Sequence, residues 1–121
     1  MAYAQQPAEL VYNLAKAMIN GYDAYKDGAP GADGLELKRQ ILTWALPYHE
    51  GTVRAMKEAG VWKAEHDAHN QSLLKRQQTL ASAWSAYLKT NPADDAAAFR
   101  KGWMSARSAA LRKAGMEPIF E

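Results

Sequence analysis

The sequence predicts an all-α fold of about five helices in a small bundle, whose last two helices form a long antiparallel hairpin. The main observation is that apolar residues recur three and four positions apart along most of the chain, as on one face of a helix. No stretch alternates between apolar and polar residues for long enough to indicate a strand. Glycine and proline residues separate the helical stretches, and a tight connection at Asn91 and Pro92 joins the last two.

The first helix is predicted to begin at residues 6–9, where Pro7 and Glu9 suit the first helical turn. Its apolar face runs to Tyr25, and the sequence DGAPGADG at residues 27–34 ends it, because glycine and proline favour turns. The residues of this face are Leu10, Val11, Leu14, Ala17, Met18, Ile19, Gly21, Tyr22 and Tyr25.

A second helix is predicted over residues 35–45, and Pro47 ends it by disfavouring helical geometry at Leu46. Gly51 and Thr52 then begin a short third helix that points in a new direction. Gly60 is expected to end that helix in the left-handed conformation that glycine adopts most easily. The apolar positions are Leu37, Ile41, Leu42 and Trp44 in the second helix, and Val53, Met56 and Ala59 in the third.

A long fourth helix is predicted from about Lys63 to the break at Asn91 and Pro92. We expect Asn91 to be the N-cap of the fifth helix and Pro92 its first residue. Gly115 ends that helix, and the short tail at residues 116–121 is expected to dock on a neighbouring element. The predicted apolar faces consist of Leu73, Gln77, Leu80, Trp84, Tyr87 and Leu88 in the fourth helix and of Ala96, Phe99, Trp103, Ala106, Ala110 and Leu111 in the fifth.

Length and composition exclude several classes of protein. A chain of 121 residues corresponds to one small domain with a modest core. Its 15 basic and 13 acidic residues give a net charge of +2, which is too balanced to indicate nucleic-acid binding. There is no cysteine, so disulfides, thiolate nucleophiles and sulfur-ligated metals are excluded. No apolar run approaches the ~20 residues of a membrane span, and the first residues do not resemble a signal peptide.

The strongest candidate for chemistry is the sequence EHDAH at residues 65–69. His66 and His69 are one helical turn apart, and imidazoles beside a carboxylate are ligand types that zinc accepts. The zinc-protease pattern requires histidines four positions apart around a glutamate, which is absent, and His49 is the only other histidine. A polar surface at the start of the long helix explains the same residues, and we predict no metal site here.

No other pattern indicates catalysis. Asp94 and Asp95 are adjacent, so they diverge by about 100° on a helix and suit a helix start rather than a carboxylate pair. The glycines of residues 27–34 lack the lysine and the preceding strand of a phosphate-binding loop. The serines lack the glycines of a nucleophile elbow, and the helical spacing of the tryptophans favours core packing. These residues are Ser72, Ser82, Ser85, Ser105 and Ser108, and Trp44, Trp62, Trp84 and Trp103. We therefore predict no enzyme, no catalytic residue and no cofactor.

Two segments resemble the C-terminal region of TAXI-family solute receptors. The sequence PAELVYNLAKA at residues 7–17 is similar to a proline-containing turn that leads into a helix of the type V-Y-x-[IL]-[TA]-K-A. The family then carries the pattern P-x-H-P-G-A-x-x-[YF]-[YF]-x-E-x-G. This chain matches it at Pro47, His49, Gly51, Glu58 and Gly60, and differs from it at Glu50, Thr52, Ala55 and Met56.

The resemblance covers about residues 6–60. It implies the extracytoplasmic substrate-binding subunit of a TRAP-type transporter, a two-lobed protein that closes on a small solute and delivers it to a membrane permease. It assigns residues 1–60 to a receptor-like helical segment and residues 61–121 to a helical hairpin extension packed on it in one compact domain. Intact receptors are much longer and contain sheets that this sequence lacks, so we expect a C-terminal fragment or a stand-alone remnant.

The implied role is structural or partner-contacting rather than solute binding, and the resemblance assigns no ligand-binding residue to this chain. The implied partners are the rest of the receptor chain or the TRAP permease subunits, in the periplasm. We expect the isolated chain to form a homo-oligomer, because its apolar faces need cover, and we expect no membrane span and no nucleic-acid partner. Two alternatives remain: a free-standing helical interaction module that docks through the long helix and residues 92–115, and a small metal-dependent enzyme built around His66 and His69.

Overall fold

The computed structural model describes residues 2–119, and within this range it contains five α-helices, two 3₁₀ segments and no strand. The helices are α1 (Ala8–Asn20), α2 (Tyr22–Tyr25), α3 (Glu50–Glu58), α4 (Ala64–Leu88) and α5 (Ala96–Lys113), and the 3₁₀ segments, Ala32–Leu35 and Leu37–Arg39, lie between α2 and α3. The predicted all-α fold is therefore confirmed.

The chain divides into two compact units, Met1–Gln71 and Ser72–Glu121, which we call the first unit and the second unit. The division falls within α4. The packing of residues 61–121 on residues 1–60 in one domain stays a prediction.

The first predicted helix begins at the expected place but is interrupted. Pro7 is the N-cap of α1, and Gly21 leaves the helical path with φ −88° and ψ 3°. The Gly21 N–H still donates to the Ala17 carbonyl at 2.9 Å, and a Cβ at this position would lie 2.9 Å from the same oxygen. The bend therefore depends on glycine, and the helix predicted to continue to Tyr25 is divided into α1 and α2.

The second helix, predicted over residues 35–45, is absent, and this prediction is wrong. Glu36 has φ −55° and ψ 130°, which interrupts helical geometry between the two 3₁₀ segments. The Gln40 side chain donates to two backbone carbonyls of this region, both at 3.0 Å, and the Tyr48 hydroxyl donates to the Ile41 carbonyl at 3.1 Å. These side-chain bonds replace helical bonds and hold an irregular conformation that apolar spacing does not reveal.

The short third helix is present as α3, with His49 as its N-cap and Gly60 in the predicted left-handed conformation (φ 74°) after its end. Met56 is buried as predicted, whereas Ala59 is exposed. α3 contacts α1 through Gly51, so the buried face of α3 contains Gly51 and residues about one helical turn after it. Ala59 lies outside this face. The buried residues of α3 are Gly51, Ala55 and Met56.

In the second unit, α5 runs antiparallel to the part of α4 that it contacts, because their aromatic residues pair in reverse order. The rings of Trp84 and Trp103 lie 4.9 Å apart, and those of Tyr87 and Phe99 lie 5.3 Å apart, measured between centroids. Gly102 leaves room for Tyr87, because a Cβ there would approach the ring to 3.2 Å. The predicted antiparallel hairpin is therefore confirmed.

The cap of α5 differs from the prediction. Asp95 is the N-cap, and its carboxylate accepts a hydrogen bond from the Ala98 N–H at 2.8 Å. Asn91, predicted for this role, instead has φ 49° and belongs to the turn that ends α4. Asparagine tolerates this left-handed conformation better than most residues, which explains its place in the turn.

The tail after α5 is attached to its own hairpin over the residues that the structure describes. Gly115 has φ 70°, as predicted for the end of the helix, and the Met116 N–H donates to the Leu111 carbonyl at 2.8 Å. Arg76 of α4 donates through Nη1 to the Glu117 carbonyl at 2.8 Å. The predicted docking of residues 120 and 121 lies outside the described residues, as does Met1.

The core of the described chain is small. Leu111 is fully buried, and Trp44, predicted to pack in the core, is 55% exposed. Its segment is the irregular one that replaces the second predicted helix, so the helical spacing that suggested burial does not apply. The buried apolar residues are Val11, Tyr12, Ala55, Met56, Trp62 and Leu111.

Candidate interaction groove of the first unit

Gly51 is a point of very close approach between α1 and α3. A Cβ on this residue would lie 2.7 Å from the Tyr12 backbone nitrogen and closer still to the Ala8 carbonyl oxygen. Both atoms belong to the backbone of α1, so they cannot move aside without shifting that helix. Glycine is therefore required here by packing.

Tyr12, Lys16 and Glu58 form a polar cluster that joins α1 to the end of α3. The hydroxyl of the buried Tyr12 donates to the Glu58 carboxylate, at 2.7 and 2.9 Å from its two oxygens. Lys16 Nζ donates to the Tyr12 hydroxyl at 2.8 Å and to Glu58 Oε2 at 3.1 Å. Hydrogen bonds from Tyr12 and Lys16 lower the pKa of Glu58, and bonds to Tyr12 and Glu58 raise the pKa of Lys16. The cluster therefore favours a charged Glu58 and a charged Lys16.

Arg54 extends this cluster along α1. Its guanidinium lies over the Tyr12 ring, with Cζ 3.7 Å from the ring centroid, and its Nη1 lies 2.8 Å from Glu9 Oε2. About half of each of these charged side chains is exposed, so solvent screens the ion pairs and each contributes little to stability. Their arrangement instead favours one register of α1 against α3.

His49 links the start of α3 to the residues before α1. Its Nδ1 accepts from the Gly51 N–H at 3.1 Å, and its Nε2–H donates to the Gln6 carbonyl at 3.2 Å. These two bonds together require the neutral imidazole with the proton on Nε2. His49 therefore both caps α3 and holds the entry to α1 beside it.

The start of α4 fixes the irregular segment before α3. The buried Asn70 accepts through Oδ1 from the Tyr48 N–H at 2.7 Å and donates through Nδ2 to the Tyr48 carbonyl at 3.4 Å. His69 Nε2 donates to the Trp44 carbonyl at 2.8 Å. Trp62 packs edge-on against Tyr48, with ring centroids 5.5 Å apart. Tyr48 is consequently held in one position.

A cavity of about 390 Å³ lies between α1, α3 and this irregular segment. Val11 and Met56 are the buried residues of its lining, and Leu14, Met18 and Leu35 are exposed residues at its edge. None of the twelve residues that line it is charged. The volume falls in the range of about 300–1,000 Å³ that is typical of binding pockets.

Two polar residues of this lining, Gln40 and Tyr48, have partners in the chain. Gln40 donates to two backbone carbonyls, and the Tyr48 hydroxyl donates to the Ile41 carbonyl. Burial raises the pKa of Tyr48, so its hydroxyl is neutral at physiological pH. The cavity, which has no charged residue in its lining, therefore suits apolar side chains or an uncharged apolar ligand.

One face of α1 continues the edge of this cavity. Leu10, Leu14 and Met18 are spaced four residues apart and are 58%, 60% and 40% exposed. Leu14 and Met18 also line the cavity, so the cavity and this row of residues form one apolar surface. We call this surface, the lining of the cavity together with Leu10, the α1 groove. Apolar surfaces of this kind mark sites of interaction.

The residues that the sequence singled out for metal binding have separate structural roles. His66 Nδ1 accepts from the Lys63 N–H at 3.0 Å at the start of α4, and His69 is bonded to the Trp44 carbonyl. The remaining histidine, His49, caps α3. Within residues 2–119, no group of three or more His, Cys, Asp or Glu side chains is placed to hold a metal ion.

Two positioning residues, Asn70 and Gln40, were missed by the sequence analysis. Asn70 lies three positions before Leu73, on the continuation of the apolar face predicted for the long helix, and this register was a usable signal of burial. Gln40 offers no comparable signal, because its hydrogen bonds depend on the irregular fold of its own segment.

Within residues 2–119, none of the helices is long and apolar enough to cross a membrane. Comparison with protein-family models, with curated proteins and with solved structures finds no match to this chain.

Proposed function

We propose that this chain is the C-terminal fragment or domain of a TAXI-family solute-binding protein of a TRAP-type transporter. In this role it makes structural or partner contacts rather than binding solute by itself. Support comes from the contact between the two segments that carry the resemblance. Tyr12 and Lys16 of the first segment bond to Glu58 of the second, and the backbone of Tyr12 closely approaches Gly51. Motif residues of both segments therefore belong to one contact, the contact between α1 and α3.

The observation that carries the partner-contacting role is the α1 groove. Its lining has no charge, and its edge exposes large apolar side chains. Covering such side chains is favourable by about 25 cal/mol for each Å² of apolar area removed from water. The occupant that the resemblance implies is the sheet-containing remainder of the receptor, outside the cytoplasm, with the permease subunits as further partners.

The test is to reconstitute a complex between this chain and the protein region that is encoded upstream of it or beside it in the genome. If that region encodes a sheet-rich receptor segment next to a permease, it is produced separately and mixed with this chain. Size-exclusion chromatography with light scattering is expected to show a complex that Leu14→Asp abolishes. Leu74→Asp is the matched control, because Leu74 is an exposed leucine of the second unit, and this variant should retain the complex. A failure of the wild-type chain to bind, or equal loss in both variants, contradicts the proposal.

A separate measurement tests the statement that the chain binds no transported solute by itself. Calorimetric titration of the wild-type chain with small dicarboxylates and amino acids is expected to give no saturable heat, because the α1 groove offers them no charged partner. Saturable binding of such a solute would show that the chain carries its own solute site.

A free-standing helical interaction module is the second candidate, favoured by an exposed row on α4. Leu74, Ala81 and Leu88 are seven residues apart and exposed, which places them on one side of the helix. In this case the effects of the two variants on partner binding reverse: Leu74→Asp abolishes the complex, and Leu14→Asp does not.

A further inference from the structure

The second unit carries an excess of positive charge. Residues 72–121 contain eight basic and four acidic residues, a net charge of +4. The ion pairs between described residues all lie in the first unit. Asp94 and Asp95 stand together just before α5, where Asp95 caps the helix, so they do not neutralise the body of the hairpin.

Two arginines of this hairpin have buried nitrogens without an acceptor. Arg76 Nη1 donates to the Glu117 carbonyl at 2.8 Å, which fixes that guanidinium. Arg76 Nη2 and Arg107 Nη1 are shielded from solvent and have no hydrogen-bond partner among residues 2–119. A charged donor held out of water without an acceptor is unfavourable, so an acceptor that reaches it stabilises the folded unit.

The register of the hairpin places the two arginines about one helical turn apart along its length. Because Trp84 pairs with Trp103, the antiparallel register places Arg107 opposite about residue 80, one helical turn from Arg76. Each residue is half-buried. One acceptor group of small size is therefore the simplest common partner for both.

We propose that Arg76 and Arg107 form a binding site for a single phosphate-type oxyanion. A guanidinium presents parallel N–H groups that match the oxygens of phosphate, and the bond is strengthened by the opposite charges. The oxyanion is either free phosphate or the headgroup of an anionic lipid, which share this chemistry. The proposal does not depend on the transporter assignment, because it uses only residues of the second unit.

Thermal unfolding of the full chain in phosphate, compared with chloride at equal ionic strength, tests the site. We expect the melting temperature to rise with inorganic phosphate and to saturate, because phosphate binds only the folded site. In Arg107→Gln the affinity for phosphate should fall about tenfold or more, the effect of losing one charged hydrogen bond. Lys101→Gln removes the same charge from an exposed position of α5 and should leave the affinity unchanged.

A wild-type chain without a saturable shift overturns the proposal, as does equal weakening in Arg107→Gln and Lys101→Gln, which indicates unspecific attraction of anions. If Arg107→Gln fails to fold, Arg107→Lys replaces it. Lysine keeps the charge but not the paired N–H groups, and an affinity equal to that of the wild type then contradicts the site.

Flotation with phosphatidylglycerol vesicles separates the two sources of the oxyanion. Flotation that requires Arg107 and that inorganic phosphate competes away identifies a lipid headgroup. A phosphate-dependent melting shift without flotation identifies the free ion. Flotation that Lys101→Gln weakens as much as Arg107→Gln contradicts a specific site.

Discussion

Single residues decide how closely α1 and α3 approach each other, and Gly51 is the most restrictive of them. We expect Gly51→Ala to destabilise the chain by about 1–3 kcal/mol, because the added Cβ meets the backbone of α1 at Ala8 and Tyr12. Urea unfolding followed by circular dichroism measures the change. Gly34→Ala is the control, because a Cβ at Gly34 has no atom within 4 Å. Equal stability of the two variants would contradict the close contact.

Glu58 makes the stability of the first unit depend on acid pH. Its pKa is lowered below the ordinary value of 4.5, chiefly by hydrogen bonds from Tyr12 and Lys16. Its charged form therefore stabilises the folded chain above pH 4.5, and this contribution is lost as the pH falls further below 4.5. In Glu58→Gln we expect a smaller fall in melting temperature between about pH 6 and about pH 3, a range that extends roughly one and a half pH units on either side of that value.

Asp27→Asn is the matched control for Glu58→Gln, because Asp27 is an exposed carboxylate outside the cluster. It should retain the full dependence of melting temperature on pH. The dependence should also be reduced rather than abolished in Glu58→Gln, because the pKa values of Asp67 and Asp23 are lowered by their own hydrogen bonds, first of all to Lys57 and Lys26. If the melting temperature of Glu58→Gln depends on pH as strongly as that of the wild type, the cluster contributes nothing to the pH dependence of stability.

At the scale of helices, the cap of α5 offers a direct comparison of neighbouring carboxylates. Asp95 accepts a hydrogen bond from the Ala98 N–H, and Asp94 is exposed one residue earlier. We expect Asp95→Ala to lower the free energy of unfolding by about 1 kcal/mol, and Asp94→Ala to change it much less. Guanidinium unfolding of both variants provides the measurement. A larger loss of unfolding free energy in Asp94→Ala than in Asp95→Ala would contradict the assignment of Asp95 as the N-cap.

Helices with strong local signals were predictable, and elements held by distant contacts were not. Pro7 and Gly60 mark the start of α1 and the end of α3 because their backbone preferences act locally. Residues 35–45 have the apolar spacing of a helix, but bonds from Gln40 and Tyr48 override it. The α1 groove was not predictable for the same reason, because one wall consists of this irregular segment.

The whole chain is expected to associate with itself when it is produced alone. The α1 groove exposes apolar side chains at its edge, and a second copy is then the only protein present that can cover them. Light scattering at tens of micromolar should give a mass above that of one chain. Leu14→Asp should lower it toward a single chain, whereas Leu74→Asp, in the second unit, should not. A strict monomer for the wild-type chain contradicts this expectation.

The positions of the indole rings provide an optical signal for each half of the chain. Trp62, 7% exposed and edge-on to Tyr48, lies in the first unit. Trp84 and Trp103 of the second unit meet edge to face, with ring centroids 4.9 Å apart and ring planes at 82°. Two indoles at that separation couple their electronic transitions, so exciton circular dichroism reports the unfolding of the second unit. The difference in fluorescence emission between the wild-type chain and Trp62→Phe reports the unfolding of the first unit. Heating the wild-type chain and Trp62→Phe under the same conditions therefore shows whether the two halves melt at one temperature or at two.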